Sequence, residues 1–199
     1  MDLSNKEIIE RLSSLTIGIA GLGGIGSNVA LFLARSGIGH LILVDFDVVD
    51  ASNLLRQQYF KDQIGKPKVF ALRENILRIR DNIRLSCYNL KLVPENINDI
   101  FKDVDLAIEA LDKAEEKAMF VEHFRLNFPN KPIIAVSGVA GIGSGEAIVT
   151  RRVSDNFFIV GDEKSEQNEE NPLWATRVGI ASSKQAHSAL RLLLGLDPF

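Results

Sequence analysis

Between Leu15 and Lys68 the sequence gathers the residue types that hold and activate a nucleotide. "GLGGIG" (21–26) follows the apolar run "LTIGIA" and opens an amphipathic one. That order of strand, glycine turn and helix cradles a pyrophosphate against backbone N–H groups and the positive end of a helix. Gly21 makes the tight turn, Gly23 lets backbone approach phosphate, and Gly26 lets the helix pack closely on the strand. Asp45 ends the next apolar run, 19 residues after Gly26, where a carboxylate accepts hydrogen bonds from ribose hydroxyls. These features alone leave NAD(P) and ATP equally open.

The segment "VDFDVVDASNLLRQQYFKDQIGKPK" (44–68) separates them. A dehydrogenase has no obvious need for a second acid at Asp47 followed by Asn53, Arg56, Gln57 and Lys68. A triphosphate site does. Arginine offers a planar fork to phosphate oxygens and lysine a compact charge. Together they neutralise charge that builds on the bridging and leaving phosphates when the α-phosphate is attacked.

These side chains need a scaffold, and the hydrophobic patterning supplies one. "SNKEIIERL" carries a Ser-x-x-Glu capping box at Ser4 and Glu7, predicting a short leading helix. Strands are expected at 15–20, "HLILVDFD", "IRLSCYNL", "VDLAIEAL" and "KPIIAVSGV". Helices are expected after the glycine turn (core face Ile25, Val29, Phe32, Leu33), through "GKPKVFALRENILRIR" (Val69, Leu72, Ile76, Ile79) and through "AEEKAMFVEHFRL". Strand–helix alternation is the signature of a doubly wound parallel sheet. "GEAIVTRRV" and "NFFIVG" then read as consecutive strands with no helix between them. The acidic stretch 162–172 reads as a mobile loop, and Thr176 to Leu194 as a final helix with small residues on its inner face. The expected fold is α/β: a doubly wound, Rossmann-like, mostly parallel sheet with antiparallel strands near the C-terminal edge, one domain over 1–199.

Composition narrows the function. The 199 residues are 46% hydrophobic and carry a net charge of −3, enough for one full core. The mild acidity argues against a dedicated nucleic-acid binder. No apolar run is long enough to span a bilayer. "MDLSNKEIIERLSS" lacks a basic region followed by an apolar one, so nothing reads as a signal peptide and a cytoplasmic protein is expected. His40, His123 and His187 are scattered and read as structural or surface residues. Cys87, the one cysteine, reads as a small core residue.

"GLGGIG", "VDFD", "SNLLRQ", "GKPK" and the acid in "ALDK" stand in the order and spacing of the ubiquitin-activating-enzyme-like superfamily. The chain most resembles its bacterial ThiF and MoeB members, over roughly Leu15 to Leu194. The resemblance implies Mg-ATP-dependent adenylation of the C-terminal glycine carboxylate of a ubiquitin-fold carrier, releasing pyrophosphate. Gly24 and its neighbours would lie against the phosphates, and Asp45 would hold the ribose. Asn53, Arg56 and Lys68 would contact the triphosphate, supported by Gln57, and Asp112 would hold Mg²⁺. "SGVAGIGSGE" (137–146) enters a strand, not a helix; by resemblance it lines the channel for the carrier's Gly-Gly tail.

Departures from the family refine this expectation. Many relatives hold structural zinc with two Cys-x-x-Cys pairs; none is present here, so no zinc is expected. Relatives that pass the carrier to a cysteine place it late in the chain, where this sequence has the acidic loop. Sulfur is therefore expected from a separate donor. The family's asparagine and arginine after the Mg acid are here Lys113 and Lys117, and Lys117 keeps the charge without the fork. Arg11 reads as an exposed helix charge. The compact build resembles a short ThiF clade associated with thiamine biosynthesis, which implies a ThiS-like carrier and a homodimer. A dehydratase acting on a tRNA-linked carboxylate and an NAD(P)-binding dehydrogenase or sensor are the alternative readings.

Overall fold

The computed structural model describes residues 4–199. Seven strands form one sheet in the order β3-β2-β1-β4-β5-β7-β6. They are β1 (Thr16–Ala20), β2 (His40–Val44), β3 (Arg84–Tyr88), β4 (Leu106–Glu109), β5 (Ile133–Val136), β6 (Val149–Ser154) and β7 (Phe157–Gly161). Strands β1 to β5 and β7 run parallel, and β6 closes the edge antiparallel to β7. The expected doubly wound sheet with an antiparallel C-terminal edge is the fold observed. Strand order reverses between β1 and β4, so the chain leaves these neighbours in opposite directions. The crevice opened there is where α/β sheets bind ligands.

Six helices cover the sheet: α1 (Asn5–Ser13), α2 (Gly24–Arg35), α3 (Lys68–Leu77), α4 (Pro94–Phe101), α5 (Ala114–Asn127) and α6 (Ala175–Leu193). Strand residues alternate between two cores. Ile17, Ile19, Leu41 and Leu43 meet α2, α3 and α6 on one face. Ile42, Val44 and Ala107 meet α4 and α5 on the other. There Phe101 packs edge-on against Phe120 at 5.0 Å. It fits because Gly18 has no side chain; a Cβ on Gly18 would stand 2.6 Å from the Phe101 ring. The Ser4–Glu7 capping box starts α1 as expected, with Arg11 exposed on it.

Four details differ from the patterning. Phe32 is 37% exposed. The buried arc of α2 is rotated toward Ala30 and Ala34, because α6 as well as the sheet covers this helix. Ile79 lies beyond the end of α3, which stops at Leu77. Helix α4, between β3 and β4, was not expected; Pro94 at its first position and Ile97, Ile100 and Phe101 on its buried face build it. His40 is not solitary: its ring nitrogens lie 3.3 Å from Thr16 Oγ1 and 2.9 Å from Ser86 Oγ, away from the crevice at the start of the strands.

Candidate active site

The glycine turn leaves β1 at the crevice. Gly21 adopts φ +88°, and a Cβ there would stand 2.6 Å from the Ala110 carbonyl. At Gly26 a Cβ would meet the Gly21 carbonyl at 1.9 Å, so this glycine lets α2 begin directly on the turn. Gly23, by contrast, faces open space, its nearest neighbour 3.9 Å away at Gln57. It caps α2 with no side-chain hydrogen bond, leaving the positive helix end open to an anion.

Asp45 braces this turn. Its carboxylate accepts from the Leu22 amide at 2.6 Å and the Asp47 amide at 2.8 Å. Burial pushes its pKa above the usual aspartate range, opposed in part by the Lys68 ammonium and these two amides. Lys68 opens α3 and donates to Asp47 Oδ2 at 2.7 Å. Its side chain is buried while that of Asp47 is half-exposed.

A 3₁₀ turn over Ala51–Leu55 carries "SNLLRQ" to the same place. Asn53 Oδ1 accepts from the Asp50 amide at 3.0 Å and ties the turn shut. Arg56 follows it, one Nη donating to the Ser52 carbonyl, while its Nε is buried with no partner. Gln57 Oε1 is also buried and unpartnered. Both residues line the cleft, so these polar atoms are available to a partner there. Two α2 residues that patterning does not single out hold the segment in register. Asn28 donates to the Arg56 carbonyl at 3.2 Å and accepts from Gln58 at 2.7 Å, and Ser27 Oγ accepts from the Gln58 amide.

Gly21, Gly23, Gly24, Asp45, Asp47, Asn53, Arg56, Gln57, Lys68 and Asp112 line a single cleft of about 920 Å³; Gly26 lies beneath it. Asp112 is exposed at its rim just past β4. The far wall is made by Ser137–Ala140 and Ser165–Asn168. The segment 162–172, expected as a mobile loop, is pinned at several points. Asp162 pairs with the buried Arg177 of α6 and accepts from the Lys164 and Ser165 amides. Ser165 Oγ accepts from the Ala140 amide, and the Gly141 amide donates to the Pro172 carbonyl.

A fully buried acid was also missed. Glu109, the last residue of β4, is 1% exposed and pairs with Lys117 of α5. A lone glutamate in the otherwise apolar "LAIEAL" is the signal that marks it. Cys87 is half-buried, donates weakly to the Val69 carbonyl and lies outside the cleft; burial pushes its thiol pKa up.

The model of the ThiF family matches residues 1–199. The chain belongs to the ThiF family. Among its relatives, the molybdopterin-synthase adenylyltransferase of Escherichia coli is 30% identical, covering 94% of this chain and 76% of its own length. The sulfur carrier protein ThiS adenylyltransferase of the same organism is 28% identical with the same coverage. Other curated relatives reach 38% identity over 104 residues, and there the chain spans about a quarter of the relative's length, 26%. Among solved structures, the E. coli tRNA N6-threonylcarbamoyladenosine dehydratase TcdA in complex with ATP superposes with a TM-score of 0.86. It is 20% identical, with 96% of this chain and 90% of that chain covered. At that identity the likeness is one of fold. Among the described residues no helix is long and apolar enough to cross a membrane.

Proposed function

We propose that this ThiF-family chain uses Mg-ATP to adenylate the C-terminal glycine of a ubiquitin-fold sulfur carrier of the ThiS type. The products are a carrier-AMP anhydride and pyrophosphate, the former destined for thiocarboxylate formation in thiamine thiazole synthesis. The observation that carries the reading is that the glycine cradle, Asp45, Arg56 and Lys68 line one cleft whose far wall is made by Ser137–Ala140 and Ser165–Asn168.

In this reading Asp45 accepts from the ribose hydroxyls, and the open start of α2 at Gly23 and Gly24 takes phosphate oxygens. A carboxylate oxygen of the carrier attacks the α-phosphorus. That bond forms as the α,β-bridging oxygen departs with pyrophosphate. Arg56, whose buried Nε has no partner in the protein, and Lys68 neutralise charge on the bridging and leaving oxygens. Asn53 and Gln57 hold the triphosphate in line. Asp112 would hold Mg²⁺, which supplies further charge neutralisation. A hard cation of this kind can be held by one carboxylate, phosphates and water. A separate donor delivers sulfur, since Cys87 lies outside the cleft. The resemblance adds a cytoplasmic homodimer, which sedimentation would test.

Pyrophosphate exchange into ATP tests the reading with ThiS-type carriers, MoaD-type carriers and tRNA as separate acceptors. Exchange is expected with a ThiS-type carrier. Loss of a preorganised phosphate contact in Arg56→Ala or Lys68→Ala is expected to lower it by about 100-fold. Turnover with tRNA alone, tight NADH binding without ATP binding, or full activity in both variants would each overturn it.

A further inference from the structure

Lys117 reaches the floor of the cleft from α5. Its ammonium lies 2.9 and 3.1 Å from the two Glu109 oxygens and 3.1 Å from the Val136 carbonyl. An ammonium has three N–H donors, and three acceptors surround this one. Lys68 differs: among the described residues its Nζ has one acceptor, Asp47, so donors remain for a phosphate. Both lysines line the cleft, yet only one of them is equipped to bind what sits in it.

Glu109 explains where the donors of Lys117 go. A carboxylate that is 1% exposed is tolerated only when it is paired and hydrogen-bonded. Besides Lys117 it accepts from the Leu111 amide at 2.7 Å and the Val136 amide at 3.4 Å. Leu111 immediately precedes Asp112, and Val136 immediately precedes Ser137. The pair therefore ties the end of β4, where the Asp112 turn begins, to the end of β5, where the far wall of the cleft begins.

We propose that Glu109 and Lys117 are a positioning pair. Lys117 does not bind phosphate; it clamps Glu109 so that the Asp112 turn and the Ser137–Gly138 turn keep a fixed spacing across the cleft. The consequence for Mg²⁺ rests on the reading of Asp112 given above, whereas the clamp itself does not.

The test compares Lys117→Met with Lys117→Arg in the full chain, by amide hydrogen exchange and by equilibrium dialysis of ATP with Mg²⁺ or with EDTA. In Lys117→Met, exchange at Leu111 and Val136 is expected to rise by about tenfold or more as the clamp opens. Affinity for Mg-ATP is expected to fall about fivefold while that for metal-free ATP changes by less than about twofold, because only the Asp112 contribution is displaced. Lys117→Arg, which keeps the charge and a two-point contact, restores both readouts. Equal losses with and without metal, with exchange at Leu111 and Val136 unchanged, would mean that Lys117 touches phosphate and would overturn the proposal. Should Lys117→Met not fold, Glu109→Gln combined with Lys117→Met leaves no buried ion unpaired and carries the same measurements. If the wild-type protein bound no ATP, the Mg-ATP reading would fail, and the exchange data would still decide the clamp.

Discussion

On one side of the cleft, the side chains that would meet a nucleotide are carried at the ends of regular elements close together in sequence. Gly21 and Gly23 leave β1, Asp45 leaves β2, Lys68 opens α3, and Arg56 sits one short 3₁₀ turn away. On the other side, the wall from Ser137 to Ala140 is irregular backbone, held by partners distant in sequence: Val160 bonds Ser137, Asp162 bonds Gly138, Ser165 bonds Ala140, and Pro172 bonds Gly141. The first side is positioned by secondary structure; the second is anchored to the sheet at Ser137 and Gly138, by β7 and, through Val136, the Glu109–Lys117 pair, and beyond them by contacts between loops. If that division holds, a substitution on one side should leave the other nearly untouched.

The sharpest contrast lies inside the glycine turn. Gly26→Ala would drive a methyl group into the Gly21 carbonyl, now 1.9 Å from that position. We expect a loss of about 4 kcal/mol of stability, a melting temperature lower by roughly 10 °C. Gly23→Ala meets nothing closer than 3.9 Å and should cost about 1 kcal/mol or less. It should instead weaken ATP binding about tenfold by occupying the phosphate's approach. Calorimetry and nucleotide titration on both variants separate the glycine that serves the fold from the one that serves the ligand.

On the far side the largest effect should come from Asp162→Ala. It strands Arg177, whose side chain is 5% exposed, as a buried cation without a counter-ion. A loss of about 3 kcal/mol is expected, together with faster amide exchange through 137–141 and 162–172. ATP affinity should stay within about twofold, because Asp45, Arg56 and Lys68 make no hydrogen bond to this pair. A parallel fall in ATP affinity would break the division into two sides.

The same division explains how much could be read from the residues in order. The parallel sheet, the antiparallel edge and the candidate nucleotide residues were legible because each rests on a local pattern: apolar alternation, a glycine turn, or an acid at a strand end. Phe32 was misplaced because a second helix, α6, covers α2 from a direction that periodicity does not encode. Helix α4 has only eight residues, too few for its period to stand out. Glu109, Asp162 and Arg177 escaped notice, and Lys117 was noted for its charge but not for its partner, for another reason. Each is meaningful only as one of a pair, and the partners belong to elements whose mutual approach is a product of the whole fold.

Two carboxylates, one on each side, should respond to acid in opposite directions. Burial alone would raise Asp162, but the Ser165 and Lys164 amides, the Ser165 hydroxyl and the Arg177 guanidinium outweigh it and hold its pKa below the usual range. A lowered group contributes stability that is present above the unfolded value and lost as pH falls through the folded one. Asp45 is raised by burial, with Lys68 opposing. Its protonated form suits the fold better, so its contribution grows as pH falls through the folded value and is complete below the unfolded one. Melting curves through the carboxylate range should therefore change differently in Asp162→Asn and Asp45→Asn. The first should flatten the acid loss of stability; the second should steepen it. Both shifts will be smaller than the effects above, since each involves a single proton, and a change of the same sign in both variants would show that the two sides titrate as one unit.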